Sequence, residues 1–93
     1  MNIPSQPQVA RAFGKVLVTC RRVAKISQEE LADRASMDRT YPSLLERGLR
    51  QPTIGRLIAI GIALDMEPST LVLLTVAKLQ SPLASRVSQE GDE

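Results

Sequence analysis

Between Ser27 and Thr53 the chain reads SQEELADRASMDRTYPSLLERGLRQPT, and this stretch constrains the fold more than any other. It reads as a short helix, a tight turn, a second short helix and a polar loop. Ser27 is followed three residues later by Glu30, the spacing of a capping box in which each side chain satisfies a backbone N–H of the other residue. Leu31, Ala32 and Ala35 mark the buried side of this first helix, and Ala32 is small enough for a close helix crossing. Ser36 and Met37 make the turn, and Asp38 is placed to N-cap the next helix. That helix carries Arg39, Thr40, Tyr41, Ser43, Leu44 and Arg47, and Gly48 ends it in the left-handed region. Residues three and four apart share one side of a helix. Thr40, Ser43, Leu44 and Arg47 therefore form one face, with Arg39 and Tyr41 beside it.

The blocks Gln28-Glu29-Glu30-Leu31-Ala32, Asp38-Arg39-Thr40-Tyr41, Leu45-Glu46-Arg47-Gly48 and Arg50-Gln51-Pro52-Thr53 resemble the Cro and phage-repressor type of helix-turn-helix protein, the xenobiotic response element family. The run DRTY followed by ERG is similar to the controller proteins of restriction–modification systems. The resemblance covers about Phe13 to Leu74 and is specific through the combined spacing of its blocks. It implies an all-α, five-helix bundle and sequence-specific binding to double-stranded DNA, with the second motif helix entering the major groove.

The resemblance also assigns roles. Arg39 is the expected base reader, because a planar guanidinium can bond both acceptors of a guanine. Thr40 and Tyr41 are expected at a base methyl or a phosphate, Ser43 and Arg47 on the same face, and Ser27 and Gln28 at phosphate through the start of the first motif helix. Arg50 and Gln51 are expected to meet the backbone from the following loop. Arg21, one helix earlier, is expected to pair with Glu46 and tie the first helix to the recognition helix. In the turns and the recognition helix, four positions depart from the family pattern. Lys25 and Ser36 stand where glycine is usual; a non-glycine residue in the left-handed region costs on the order of 1 kcal/mol, so these turns are expected to be either strained or shaped differently. Pro42 replaces the usual Ile, which predicts a recognition helix that starts late or bends. Leu44 replaces a commonly polar residue and either reads thymine methyls or spoils a polar contact.

On either side of the motif, residues 1–7 read as a loose N-terminal arm. A helix is expected from about Gln8 to Ala24, with Phe13, Val16, Leu17, Cys20 and Ala24 as its apolar stripe and Cys20 as a core thiol. Thr53 is placed to cap a fourth helix that runs to about Leu64 and is apolar nearly all round; Pro68 suits the first position of a fifth. Ala59 and Ile62 are apolar where the family is commonly polar. Surplus apolar surface of this kind points to an interface, so Ile62, Leu71 and Leu74 are the expected dimer contacts. The domain is bounded at 8–79, and residues 80–93 are expected to be a polar tail.

The 93 residues suit one domain. Net charge is +2, but residues 1–60 hold ten Lys/Arg against five Asp/Glu, whereas residues 61–93 hold two against five. A basic front half suits a phosphate-facing surface. A single Cys excludes an internal disulfide and any Cys-based zinc site, and the absence of His removes the commonest general base and metal ligand, so no catalytic residue, metal or cofactor is expected, nor any small-molecule ligand. The longest apolar run, Leu57 to Leu64, is far below the roughly 20 residues of a membrane span, and a cytoplasmic, nucleoid-associated protein is expected. The expected function is a transcriptional regulator, repressor or controller, that binds a palindromic operator as a homodimer. Two alternatives remain: the DNA-binding antitoxin of a toxin–antitoxin pair, whose apolar rear holds a toxin protein, and a non-DNA interaction module that keeps the fold.

Overall fold

Five helices account for most of the chain. The computed structural model describes residues 2–80: α1 Gln6–Val23, α2 Gln28–Arg34, α3 Tyr41–Glu46, α4 Ile54–Ala63 and α5 Pro68–Gln80. α1 lies against α5 and α3, α5 against α4, and α2 against α3 and α4. All five contribute to one core. Phe13, Val16 and Leu17 enter it from α1, Leu31 from α2, Leu45 from α3, Leu57 and Ile60 from α4 and Leu71 from α5. The all-α five-helix arrangement is the one expected.

The helix ends follow local chemistry. α1 starts earlier than expected, at Gln6, so the last two residues of the expected arm are helical. Ser5 Oγ accepts from the N–H of Gln8 at 3.2 Å, and Gln8 Oε1 accepts from the N–H of Ser5 at 2.7 Å. Pro7 sits in the first turn, where an N–H has no intrahelical partner to lose. This is a complete capping box. At α2 only half of one forms: Ser27 Oγ accepts from the N–H of Glu30 at 3.0 Å, while the Glu30 carboxylate pairs with Arg34, one turn on. Thr53 Oγ1 caps α4 through the N–H of Arg56. The expected tail, apart from Gln80, lies outside the described residues.

One device closes each of the first four helices. Lys25, Ser36, Gly48 and Asp65 all have positive φ (60°, 53°, 72° and 57°). In each case the next residue's N–H donates to a carbonyl five residues back: Ile26 to Arg21, Met37 to Ala32, Leu49 to Leu44 and Met66 to Gly61. Three of the four cap residues are not glycine, so at Lys25 and Ser36 the strained form of the turn is the one present, and Asp65 adds a third instance.

α1 and the end of α3 approach closely. A Cβ at Gly14 would lie 2.6 Å from the carbonyl oxygen of Leu45 and 2.7 Å from that of Glu46. One at Gly48 would lie 3.1 Å from Arg11 Cα. Gly14 and Arg21 are two helical turns apart, so one stripe of α1 grips the C-terminal end of α3. Gly14→Ala is therefore expected to destabilise by about 1–2 kcal/mol. The overlap outweighs the gain of about 1 kcal/mol in helix propensity. Gly55→Ala, where an added Cβ meets nothing within 4 Å, is expected to stabilise by about 0.5 kcal/mol. Urea denaturation of the two variants checks both signs.

Candidate nucleic-acid interface

The second motif helix is short and starts late. α3 begins at Tyr41, and Thr40 stands at its N-cap without a side-chain cap bond. Asp38 was expected in that role. Instead it organises the turn before the helix: its Oδ1 accepts from the N–H and the Oγ1 of Thr40 at 2.9 and 2.6 Å, and its carbonyl accepts from Tyr41 at 3.0 Å. The two Thr40 bonds hold the Asp38 carboxyl below its ordinary range. They support the turn above the unfolded carboxylate pKa and lose that support as pH falls through the lowered folded value. Pro42 accounts for the late start. It has no N–H to donate and disfavours helical backbone at Tyr41. Its ring is fully buried, filling the apolar place of the missing branched side chain.

Of the residues expected on this helix, Tyr41, Ser43 and Leu44 lie within α3, whereas Arg39 and Thr40 fall in the turn before it and Arg47 at its C-cap, because the helix starts late. Arg39, Thr40 and Arg47 are exposed; Tyr41, Ser43 and Leu44 are half-buried. Arg47 lies back along its helix, its Nε donating to the Ser43 carbonyl at 3.4 Å. Ser27 is exposed at the start of α2. Gln28 beside it is partly committed inward, since its Nε2 donates to Glu46 Oε1 at 2.9 Å. Arg50 and Gln51 are exposed in the following loop; Gln51 also borders an apolar groove lined by Pro4, Phe13, Leu57 and Val72.

The orientation of α3 rests on Glu46. Its carboxylate accepts from Arg21 Nε at 2.5 Å and from Arg21 Nη2 at 3.0 Å, a two-pronged pair. The side chains of Arg21 and Glu46 are 14% and 6% exposed. Arg21 Nη1 also donates to the Ile26 carbonyl at 3.0 Å. The hydrogen bond to Glu46 raises the Arg21 pKa further, against the cost of burial. The pair expected from the sequence is thus present, and the connector and Gln28 extend it into a network.

Two contributors escaped the sequence reading. Arg56, at the start of α4, reaches back over the motif: its guanidinium carbon lies 5.5 Å from the Tyr41 ring centroid and its Nη1 donates to the Ser36 carbonyl at 3.4 Å. Glu29 on α2 approaches Arg39, Oε2 to Nη2, at 2.9 Å. Both join residues separated by a turn, which a reading along single helices does not pair.

The helix-turn-helix family model matches residues 20–71, more than half of the chain. The chain belongs to the helix-turn-helix family. This is a family of DNA-binding transcription regulators and not of enzymes. An uncharacterised HTH-type transcriptional regulator, y4dL of Sinorhizobium fredii, is 37% identical over 51 residues, which are 55% of this chain and 26% of that protein. The chain thus spans about a quarter of that relative's length. Among solved structures, the restriction–modification controller protein C.AhdI from Aeromonas hydrophila is similar at 35% identity and a TM-score of 0.65, over 67% of this chain and 94% of its own. The controller protein C.Esp1396I is 26% identical at a TM-score of 0.71, over 78% and 96% of the two chains. The regulator ClgR from Corynebacterium glutamicum, 23% identical at a TM-score of 0.75 over 89% and 84%, shares the fold. The resemblance to controller-type helix-turn-helix proteins is borne out.

The expected rear interface needs correction at one residue. Leu71 is fully buried, because α5 turns it into the core against α1 and α4, and it offers nothing to a second chain. Ile62 and Leu74 are 70% and 41% exposed. Ile54 and Ile58 are exposed with Ile62, at spacing four along one face of α4. Cys20 is half-buried at the core edge, and burial pushes its thiol up, as suits a packing thiol. Among the described residues no group of His, Cys, Asp and Glu is placed to hold a metal ion. No single helix there is long and apolar enough to cross a membrane, and α4 and α5 reach that length only together, across a bend of 107°.

Proposed function

We propose that this chain is a transcriptional regulator that binds a palindromic operator as a homodimer, with α3 in the major groove. The observation that carries the reading is the clamp on α3. Arg21, Gln28 and Glu46 fix the helix while Arg39 and Thr40 just before it and Arg47 at its C-cap stay exposed. A helix held this firmly at its buried end and left polar and basic at its free face suits base-edge reading. The two controller proteins that the fold matches support the controller form of the reading. The exposed isoleucine row of α4, with Leu74 of α5, is the proposed dimer surface. A chain with this role works in the cytoplasm, on the nucleoid.

Selection of bound duplexes from a random pool tests the reading. Recovery of one sequence repeated with inverted symmetry supports it, and a pool left random at low salt removes it. On the selected site, Arg39→Ala is expected to cost about 1–3 kcal/mol and to relax preference at one base pair. Arg50→Ala is expected to weaken binding to all sequences alike and to lower the salt slope by about one. Gel shifts across a salt series separate the two patterns.

A further inference from the structure

The contact between Glu29 and Arg39 has no role in the fold. Both side chains lie largely in solvent, 68% and 75% exposed, and an ion pair in that setting contributes little to stability. The other carboxylates nearby are arranged differently. Glu30 is paired with Arg34 on its own helix, Asp38 is bound to Thr40, and Asp33 lines the same cleft as Glu29 and Arg39 but makes no ion pair with Arg39. Glu29 alone reaches across the turn, from the second residue of α2 to the residue proposed to read a base. Among the described residues this ion pair is the one polar contact of the Arg39 side chain.

We infer that Glu29 is a selectivity residue, which acts by withholding Arg39 from phosphate. This rests on the reading of α3 as the base-reading helix. An unguarded guanidinium on a DNA-facing surface is satisfied by any phosphate, a contact that carries no sequence information. A carboxylate 2.9 Å away supplies that satisfaction internally and repels an incoming phosphate. A guanine edge is neutral and offers two acceptors to the guanidinium at once. A phosphate reaching Arg39 is brought against the Glu29 carboxylate, whereas a neutral guanine edge is not, so the penalty falls on the phosphate contact. The carboxylate lowers affinity for all DNA and lowers it most for the wrong sequence.

The test is binding of the 93-residue chain to a selected duplex and to a scrambled one, over a salt series, with Glu29→Gln, Glu29→Asp and Arg39→Ala. Glu29→Gln is expected to tighten the scrambled complex about fivefold at low salt and the selected one less, and to steepen the scrambled salt slope by about one unit. Glu29→Asp keeps the charge at the start of α2 but shortens its reach, and is expected to lose selectivity as Glu29→Gln does. In the Arg39→Ala background, Glu29→Gln is expected to leave the ratio of the two affinities unchanged. Equal tightening on both duplexes overturns the inference, since net charge alone does that. A ratio that still falls without Arg39 also overturns it, because Glu29 then meets the DNA itself. A chain with no preference for any duplex sinks the reading of α3; a preference untouched by Glu29→Gln sinks only the role of Glu29.

Discussion

Glu46→Ala is expected to lower the unfolding free energy by about 3 kcal/mol, the largest stability loss of any single polar substitution here. The Glu46 side chain is only 6% exposed and receives three hydrogen bonds, two from Arg21 and one from Gln28. Its removal leaves a guanidinium that is 14% exposed without a counter-charge and an amide without its acceptor. Losing one partner of a shielded pair costs more than the pair itself contributes, because the remaining charge stays desolvated. Glu46→Gln keeps one acceptor oxygen and is expected to lose less. Urea denaturation orders the three proteins, and Arg21→Ala combined with Glu46→Ala is expected to cost less than the sum of the singles. DNA binding is expected to fall in step, because the same carboxylate holds the last turn of α3. A Glu46→Ala protein as stable as the parent would mean that the α1–α3 contact at Gly14, and not the ion pair, sets the recognition helix.

How far the molecule was legible in its sequence depended on the range of each interaction. The stop at Gly48, the Thr53 cap and the first position of α5 follow from neighbours in sequence and stand as expected, whereas the left-handed turns at Lys25 and Ser36 were legible only through the glycine usual there in the family. The Ser5–Gln8 capping box is equally local and was there to be read; the prolines of residues 1–7 suggest an arm and mask that spacing. Arg21 with Glu46 spans 25 positions and was legible only through a family resemblance. Glu29 with Arg39, and Arg56 over Tyr41, had no such guide, since exposed side chains leave no periodic pattern. Gly14 looks like an ordinary helical glycine until the carbonyls of α3 are placed against it. Leu71 failed for a related reason. In α5 the buried Leu71 is followed directly by the exposed Val72, Leu73 and Leu74, and composition identifies the surplus but not which leucine faces outward.

Ile62→Glu is expected to leave the fold intact and to weaken operator binding by about 100-fold or more. The two halves of that expectation have separate causes. Ile62 is 70% exposed in the single chain, so its replacement removes little buried area, and stability is expected to move by less than about 0.5 kcal/mol. In the proposed dimer the same residue lies in the row Ile54, Ile58 and Ile62, and a two-fold axis brings that row against its own copy. The substitution then brings two carboxylates, one from each chain, into an apolar contact, where their desolvation opposes association. A monomer holds one half-site and forfeits the effective concentration that links the second, from which the loss of about two orders of magnitude follows. Sedimentation and thermal melting separate the outcomes. A monomeric, fully folded Ile62→Glu chain with weak operator affinity supports the α4 interface, whereas an unmutated chain that sediments as a monomer at micromolar concentration places the dimer contact elsewhere or removes it. Leu71→Glu is the contrasting case. It puts a carboxylate into the shared core of α1, α4 and α5 and is expected to unfold the chain outright, with no information about assembly.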